Sequence, residues 1–289
     1  MDLAGSMVAL VTPFKNDKVD YDAYGELIEL QVKSGTDAIV PCGTTGESAT
    51  LDHHEHEEVI KFAIEMAAGR CIVIAGTGSN ATAEALSLTR AAAEGGADVS
   101  LQVSPYYNKP SQEGLYQHFK KINDEVDLPM ILYNVPGRTG KEIAVDTVCR
   151  LAELKNVAAI KEAGGSVDRV SEIINGCDLT VLSGDDSLTL PMMAVGAKGV
   201  ISVVANLVPA DVKAMVVAAA SGDYAKARDL HYKMLDLVRM CFVENNPAGI
   251  KCAMHLAGRV GPEMRLPVCG MLDENVERMR KVLVDYGIL

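Results

Sequence analysis

The sequence predicts a closed (β/α)8 TIM barrel followed by a small helical extension. Three observations lead there. Short β-type runs alternate with helix-type stretches through the first three-quarters of the 289 residues. Most of the helix-type stretches close on Gly or Asn, the ordinary stop signal. After about residue 224 the β-type runs cease and only helical patterns remain. Strands alternating with helices imply a parallel sheet with both faces covered, and about eight such units suffice for closure.

The β-type runs, in order, are MVALVT (7–12), DAIVPC (37–42), CIVIAG (71–76), DVSLQV (98–103), PMILYN (129–134), NVAAIK (156–161), LTVLSG (179–184) and GVISVV (199–204). Between them lie helix-type stretches such as YGELIELQVKSG, HEEVIKFAIEMAAG, TAEALSLTRAAAEGG and VDTVCRLAELKN. The tail reads as three helices, AKARDLHYKMLDLVRMCF, NPAGIKCAMHLAGRVG and ENVERMRKVLVDYG. The division expected is a barrel over 1–224 and a helical domain over 225–289. The rival is a doubly wound open sheet, for which GTGSNA (76–81) supplies a G-x-G-x-x-A run between strand and helix. The next strand, DVSLQVSPYY, ends in Ser and Pro where a dinucleotide fold wants an acidic residue for the ribose, so the run reads as one more βα loop.

A formal net charge of −12 argues against nucleic acid and against an anionic membrane surface as partners. The 7 cysteines are scattered and never form CxxC, which disfavours a disulfide framework or a zinc site. No basic segment precedes an apolar one at the N-terminus, and no run is long enough to span a bilayer. A cytoplasmic location is expected.

Chemistry in such a barrel sits where strands run out, at their C-terminal ends. VAAIKEAGGS (157–166) runs four apolar residues straight into Lys161, a side chain costly to bury unless it has a task. Tyr133, Tyr107, Thr44, Thr45 and Arg138 fall at neighbouring strand ends. The small residues of CGTTGES allow close backbone approach, so successive N–H groups ahead of a helix can cradle an anion. The loop lacks the Lys-Ser/Thr of a P-loop, which favours a carboxylate over a nucleotide phosphate. HHEHEE (53–58) lacks the HExxH spacing of a zinc site and reads as a solvated helix face; no metal is expected.

GTTGES, SPYYNKPSQEGLYQHF, ILYNVPGRTG, IKEA, SGDD and GVISVVAN, in this order, resemble the 4-hydroxy-tetrahydrodipicolinate (dihydrodipicolinate) synthases. These belong to the class I aldolases that include N-acetylneuraminate lyase. The resemblance runs from about residue 3 through the C-terminal helices. It implies a Schiff-base lysine at Lys161 and a proton relay of Tyr133, Thr44 and Tyr107, the last reaching in from a neighbouring subunit. Thr45 with the Gly43–Gly46 backbone would cradle the carboxylate of pyruvate, and Gly184 with the Ile201 carbonyl would line the same pocket. Arg138 would hold the carboxylate of L-aspartate 4-semialdehyde. No cofactor is implied, and a homo-oligomer, a dimer of dimers, is. Family members inhibited by L-lysine bind it at the dimer interface; the matching residues here are Ser48, Ala49, His53, His56, Asn80, Glu84 and Tyr106. Gly164 stands where threonine is common. The alternatives are a lyase of the same superfamily, which typically lacks the arginine of VPGRTG, and a non-catalytic sensor of keto acids or lysine, which needs no proton relay.

Overall fold

The computed structural model describes residues 3–289. Eight parallel strands close into a barrel: β1 (Gly5–Ala9), β2 (Ala38–Val40), β3 (Ile72–Gly76), β4 (Val99–Val103), β5 (Met130–Asn134), β6 (Val157–Glu162), β7 (Thr180–Ser183) and β8 (Gly199–Ser202). Each strand pairs with its sequence neighbours, and β8 closes on β1 with Met7 opposite Ile201. Helices α1 (Tyr21–Lys33), α2 (His53–Ala67), α3 (Thr82–Glu94), α4 (Gln112–Glu125), α5 (Val145–Ala152), α6 (Val167–Gly176), α7 (Thr189–Ala194) and α8 (Pro209–Ala220) follow the strands in turn. The extension is α9 (Tyr224–Cys241), α10 (Ala248–Leu256) and α11 (Asp273–Tyr286).

Strand alternation sorts the core into two shells. Met7, Ala9, Ala38, Val40, Ile74, Val99, Ile131, Ala159 and Leu182 point inward and fill the barrel. Val8, Ile39, Val73, Leu132, Ile160, Val181 and Val200 point outward and pack beneath the helices. With aromatics at 4%, small aliphatic side chains do this filling, each large one contributing about 1.5–3 kcal/mol on burial.

The strands are shorter than the apolar runs suggested, for local reasons. β2 stops at Val40 because Pro41 has no N–H and Cys42 adopts a left-handed φ of 55°. β8 stops at Ser202 because the Asp186 carboxylate accepts from the N–H groups of Val203 and Val204 and bends the chain into a 3₁₀ turn. A short hairpin, Phe14–Lys15 with Lys18–Val19, escaped the sequence reading. Its turn residues Asn16 and Asp17 both take positive φ, the I′-type signature that an Asn-Asp pair permits. The glycines of GTGSNA serve packing rather than a nucleotide. A Cβ at Gly76 would lie 2.2 Å from the Cys42 carbonyl oxygen, and one at Gly78 2.3 Å from the Val103 nitrogen.

Candidate active site

β5 and β6 run in register with Tyr133 opposite Lys161, so both side chains project into the barrel at the same level. The Lys161 Nζ lies 4.3 Å from the centre of the Tyr133 ring, and both residues are buried. The next residue, Glu162, must point the other way, and there it is fully buried too. It accepts from the Asn134 amide at 2.8 and 3.1 Å, the Gly164 N–H at 2.7 Å and the Arg169 Nε at 2.9 Å. The strand carrying Lys161 is thereby fixed from its outer side by a satisfied ionic network.

At the mouth, a cavity of about 460 Å³ is lined by Thr44, Thr45, Tyr133, Arg138, Lys161 and Gly184 among others. Of its ionisable side chains, Arg138, Lys161 and Arg239 are cationic and only Asp185 is acidic. An acidic protein thus presents a locally cationic pocket, suited to a small carboxylate.

The 42–47 loop, where a carboxylate cradle is expected, is a run of tight backbone turns. Gly46, Glu47 and Ser48 turn their N–H groups back onto the carbonyls of Gly43 and Thr44. Among the described residues, none accepts from the N–H of Thr44 or Thr45. A 3₁₀ turn over Ser48–Thr50 and helix α2 from His53 follow, so the loop lies ahead of a helix, with those two unpaired amides and two hydroxyls between its turns. Cys42 and Glu47 flank the loop, both left-handed at φ 55° and 53°, a conformation costing a non-glycine residue about 1–2 kcal/mol.

Asn246, in the turn between α9 and α10, is the polar residue that sequence reasoning missed. Its amide donates to the Thr45 hydroxyl at 2.9 Å and its carbonyl accepts from Arg138 at 3.2 Å. Its Oδ1 is buried without a partner, and the side chain lines the mouth. The signal was the ENNP turn between two apolar helices. Val238, Arg239 and Phe242 of the extension complete the same wall.

The resemblance puts the Ile201 carbonyl at the pocket and Tyr107 in a neighbouring subunit's site. The Ile201 side chain packs in the barrel interior, and Val203, two residues on, lines the mouth. Tyr107 is 89% exposed with a φ of 72° and is absent from this chain's own cavity. Gly164 is snug, since a Cβ there would meet the Glu162 carboxylate at 2.6 Å.

A second cavity, about 400 Å³, adjoins the first. It is lined by Ser48, Ala49, His53, His56, Glu84 and Tyr106, and it shares Thr44, Val135, Arg138 and Asn246 with the mouth. Asn80 is not in this lining but donates to the Tyr106 carbonyl at 3.1 Å. Glu84 accepts from the Ser79 hydroxyl and pairs with His53; these bonds hold its carboxyl below the usual range. The buried His56 bonds the Gly76 carbonyl at 2.7 Å, and burial pushes its imidazole down. The HHEHEE run therefore gives this pocket the exposed His53 and the buried His56.

A family model described as the dihydrodipicolinate synthetase family matches residues 2–285. The 4-hydroxy-tetrahydrodipicolinate synthase of Aquifex aeolicus is 55% identical over 287 residues, covering 98% of each chain. The crystal structure of dihydrodipicolinate synthase from that organism superposes with a TM-score of 0.98 at 54% identity, covering 99% of both chains. The chloride-inhibited enzyme of Acinetobacter baumannii, complexed with pyruvate, matches with a TM-score of 0.98 at 44% identity over 100% of both chains. The enzyme of Cyanidioschyzon merolae with lysine bound matches with a TM-score of 0.95 at 38% identity over 99% of both. In sequence, barrel and full-length extent, the chain belongs to the dihydrodipicolinate synthetase family.

Proposed function

We propose that this chain condenses pyruvate with L-aspartate 4-semialdehyde to give 4-hydroxy-tetrahydrodipicolinate, the first committed step of diaminopimelate and lysine biosynthesis. The observation that carries the reading is the buried Lys161 amine beside Tyr133, beneath the open N–H groups of Thr44 and Thr45. An amine there meets the carbonyl of a keto acid whose carboxylate sits in the cradle. Lys161 adds to pyruvate C2, water leaves, and the protonated imine serves as electron sink. Loss of a methyl proton gives the enamine, whose carbon attacks the aldehyde. The semialdehyde's own amine then displaces Lys161 as the ring closes.

Tyr133 and Thr44 would pass the protons, with Tyr107 supplied by a neighbouring copy. Its high exposure and its absence from the lining of this chain's mouth support a shared site in a homo-oligomer, which the resemblance makes a dimer of dimers. Arg138 and Asn246 would receive the semialdehyde's carboxylate side. The pocket formed by Glu84, His53 and Tyr106 would take L-lysine as a feedback inhibitor, with Asn80 behind Tyr106. Residues 225–289 would form a domain that completes the mouth rather than a separate module. A cytoplasmic location accords with seven unpaired thiols; no helix among the described residues is long and apolar enough to cross a membrane.

Borohydride reduction in the presence of pyruvate should leave one covalent adduct, mapped to the peptide bearing Lys161. An adduct on a different lysine, or none in an active preparation, would overturn the assignment.

A further inference from the structure

Glu47, the glutamate of GTTGES, does not face the mouth. It turns outward into an interior site where it meets Lys251 of α10, and both side chains are 1% exposed. The Lys251 Nζ donates to Glu47 Oε1 at 2.5 Å and to the Glu263 carbonyl at 2.9 Å. The second carboxylate oxygen of Glu47 accepts from the backbone N–H of Arg265 at 3.1 Å. Phe14 lies between the two cations, with Lys251 4.6 Å and Arg265 4.5 Å from its ring centre. The Arg265 guanidinium reaches on to the Thr50 carbonyl and takes Glu55 in two bonds of 2.7 Å each. The helical extension therefore grips the 42–50 segment through one buried pair and one guanidinium.

The grip falls on a particular backbone feature. Glu47 is left-handed, and its N–H and the neighbouring Gly46 N–H close the loop onto Thr44 and Gly43. With the loop closed in this way, the Thr44 and Thr45 amides stay unpaired among the described residues, on two residues that line the mouth. A lone glutamate has no preference for this conformation, so something outside the loop must hold it. A buried pair is a poor source of net stability, because desolvating both ions offsets their attraction. Geometric specification of a strained turn is a use that such a pair does serve.

We propose that the Lys251–Glu47 pair is a positioning device for the Thr44–Thr45 cradle, through which the C-terminal extension sets affinity for the keto-acid carboxylate. The inference rests on the pyruvate reading of the mouth. Neither residue touches the substrate; both act through the loop.

The test compares two double variants whose buried charges are removed together. Lys251→Met/Glu47→Leu deletes the anchor and leaves a side chain that resists the left-handed turn. Lys251→Met/Glu47→Gly deletes the same anchor but permits the turn. The first should raise the KM for pyruvate about tenfold or more, the scale of one lost charge-assisted hydrogen bond. The KM for the semialdehyde should move far less. The glycine variant should recover to within about threefold of wild type, the remainder being chain entropy. Equal impairment of the two variants, or a wild-type pyruvate KM in the leucine variant, overturns the proposal. Should the leucine variant not fold, Lys251→Met/Glu47→Gln takes its place with the same expectation. Borohydride trapping of wild type by pyruvate runs alongside: its failure indicts the pyruvate reading, whereas normal trapping with unshifted variants indicts the positioning role alone.

Discussion

A Cβ atom on Gly184 would stand 2.9 Å from Cε and 3.0 Å from Cγ of Lys161, with the Ala163 Cβ at 2.8 Å closing the other side. Gly184 follows β7 directly, its N–H donates to the Glu162 carbonyl at 2.7 Å, and its φ does not fall in the left-handed region. The glycine is therefore needed for the room it leaves, not for its backbone freedom. Gly184→Ala is expected to fold and to push the lysine stem aside. A displacement of about 1 Å at a reacting group can cost about 100-fold in rate. Single-turnover imine trapping with pyruvate should slow by one to two orders of magnitude, while circular dichroism stays unchanged. A wild-type trapping rate would show that Lys161 does not use this space.

Arg138 and Asn246 stand together on the wall between the two cavities. Arg138 is exposed in the unliganded chain, so its contribution arises when a carboxylate arrives, at about 1.5–3 kcal/mol for hydrogen bonds to a charged group. Arg138→Ala should lower kcat/KM for the semialdehyde about 10- to 100-fold while pyruvate still forms its imine. Asn246→Ala should harm both substrates, because it also strips the Thr45 hydroxyl of its 2.9 Å donor. Equal losses on both substrates for Arg138→Ala would assign the guanidinium to pyruvate instead.

The alternation of eight apolar runs made the barrel legible, because parallel strands buried on both faces leave a periodic trace in the sequence. Lys161 was legible for the converse reason: a lysine ending an apolar strand contradicts its surroundings. Asn246 and Glu47 were not. Asn246 lies about 200 residues from the threonine it serves, in a turn whose composition is ordinary. Glu47 looked like an incidental member of a loop, and only the fold reveals that Lys251 awaits it. Long-range polar pairings of this kind carry no periodicity. Tyr107, expected to serve a neighbouring copy, is 89% exposed and does not line its own chain's mouth.

His118 on α4 carries a pH signature. Burial pushes its imidazole down from 6.5 to about 4; Nδ1 meets the Thr82 hydroxyl at 2.9 Å and Nε2 has no partner. Between these two values the unfolded chain binds a proton that the folded chain refuses, so stability rises with pH across the window. About 3 kcal/mol present above pH 6.5 should be given up as the pH falls to 4. Burial pushes His56 and His231 down as well, so the comparison must be differential. Urea unfolding of His118→Gln between pH 4 and 7 should show a shallower acid limb than wild type; parallel limbs would exclude His118 as its source.

Glu84 offers the sharpest test of the second cavity. Its carboxylate is kept ionised by the Ser79 hydroxyl and by His53, and it faces a pocket with Ser48, Ala49 and Tyr106. An incoming lysine ammonium can replace the exposed His53 as its partner, exchanging a titratable neighbour for a permanent cation. Thr44 and Arg138 line both cavities, so a ligand here would contact residues of the mouth as well, among them those proposed for the relay and the semialdehyde. Initial rates should fall with millimolar L-lysine in wild type. Glu84→Ala should lose that inhibition at least tenfold in concentration, the scale of one charge-assisted bond, while its KM for pyruvate holds. Glu84→Gln should sit with the alanine variant if charge is what the ligand reads, and near wild type if a neutral acceptor suffices. Inhibition that Glu84→Ala leaves intact would move the L-lysine site away from this pocket, and insensitivity of the wild type would remove it altogether.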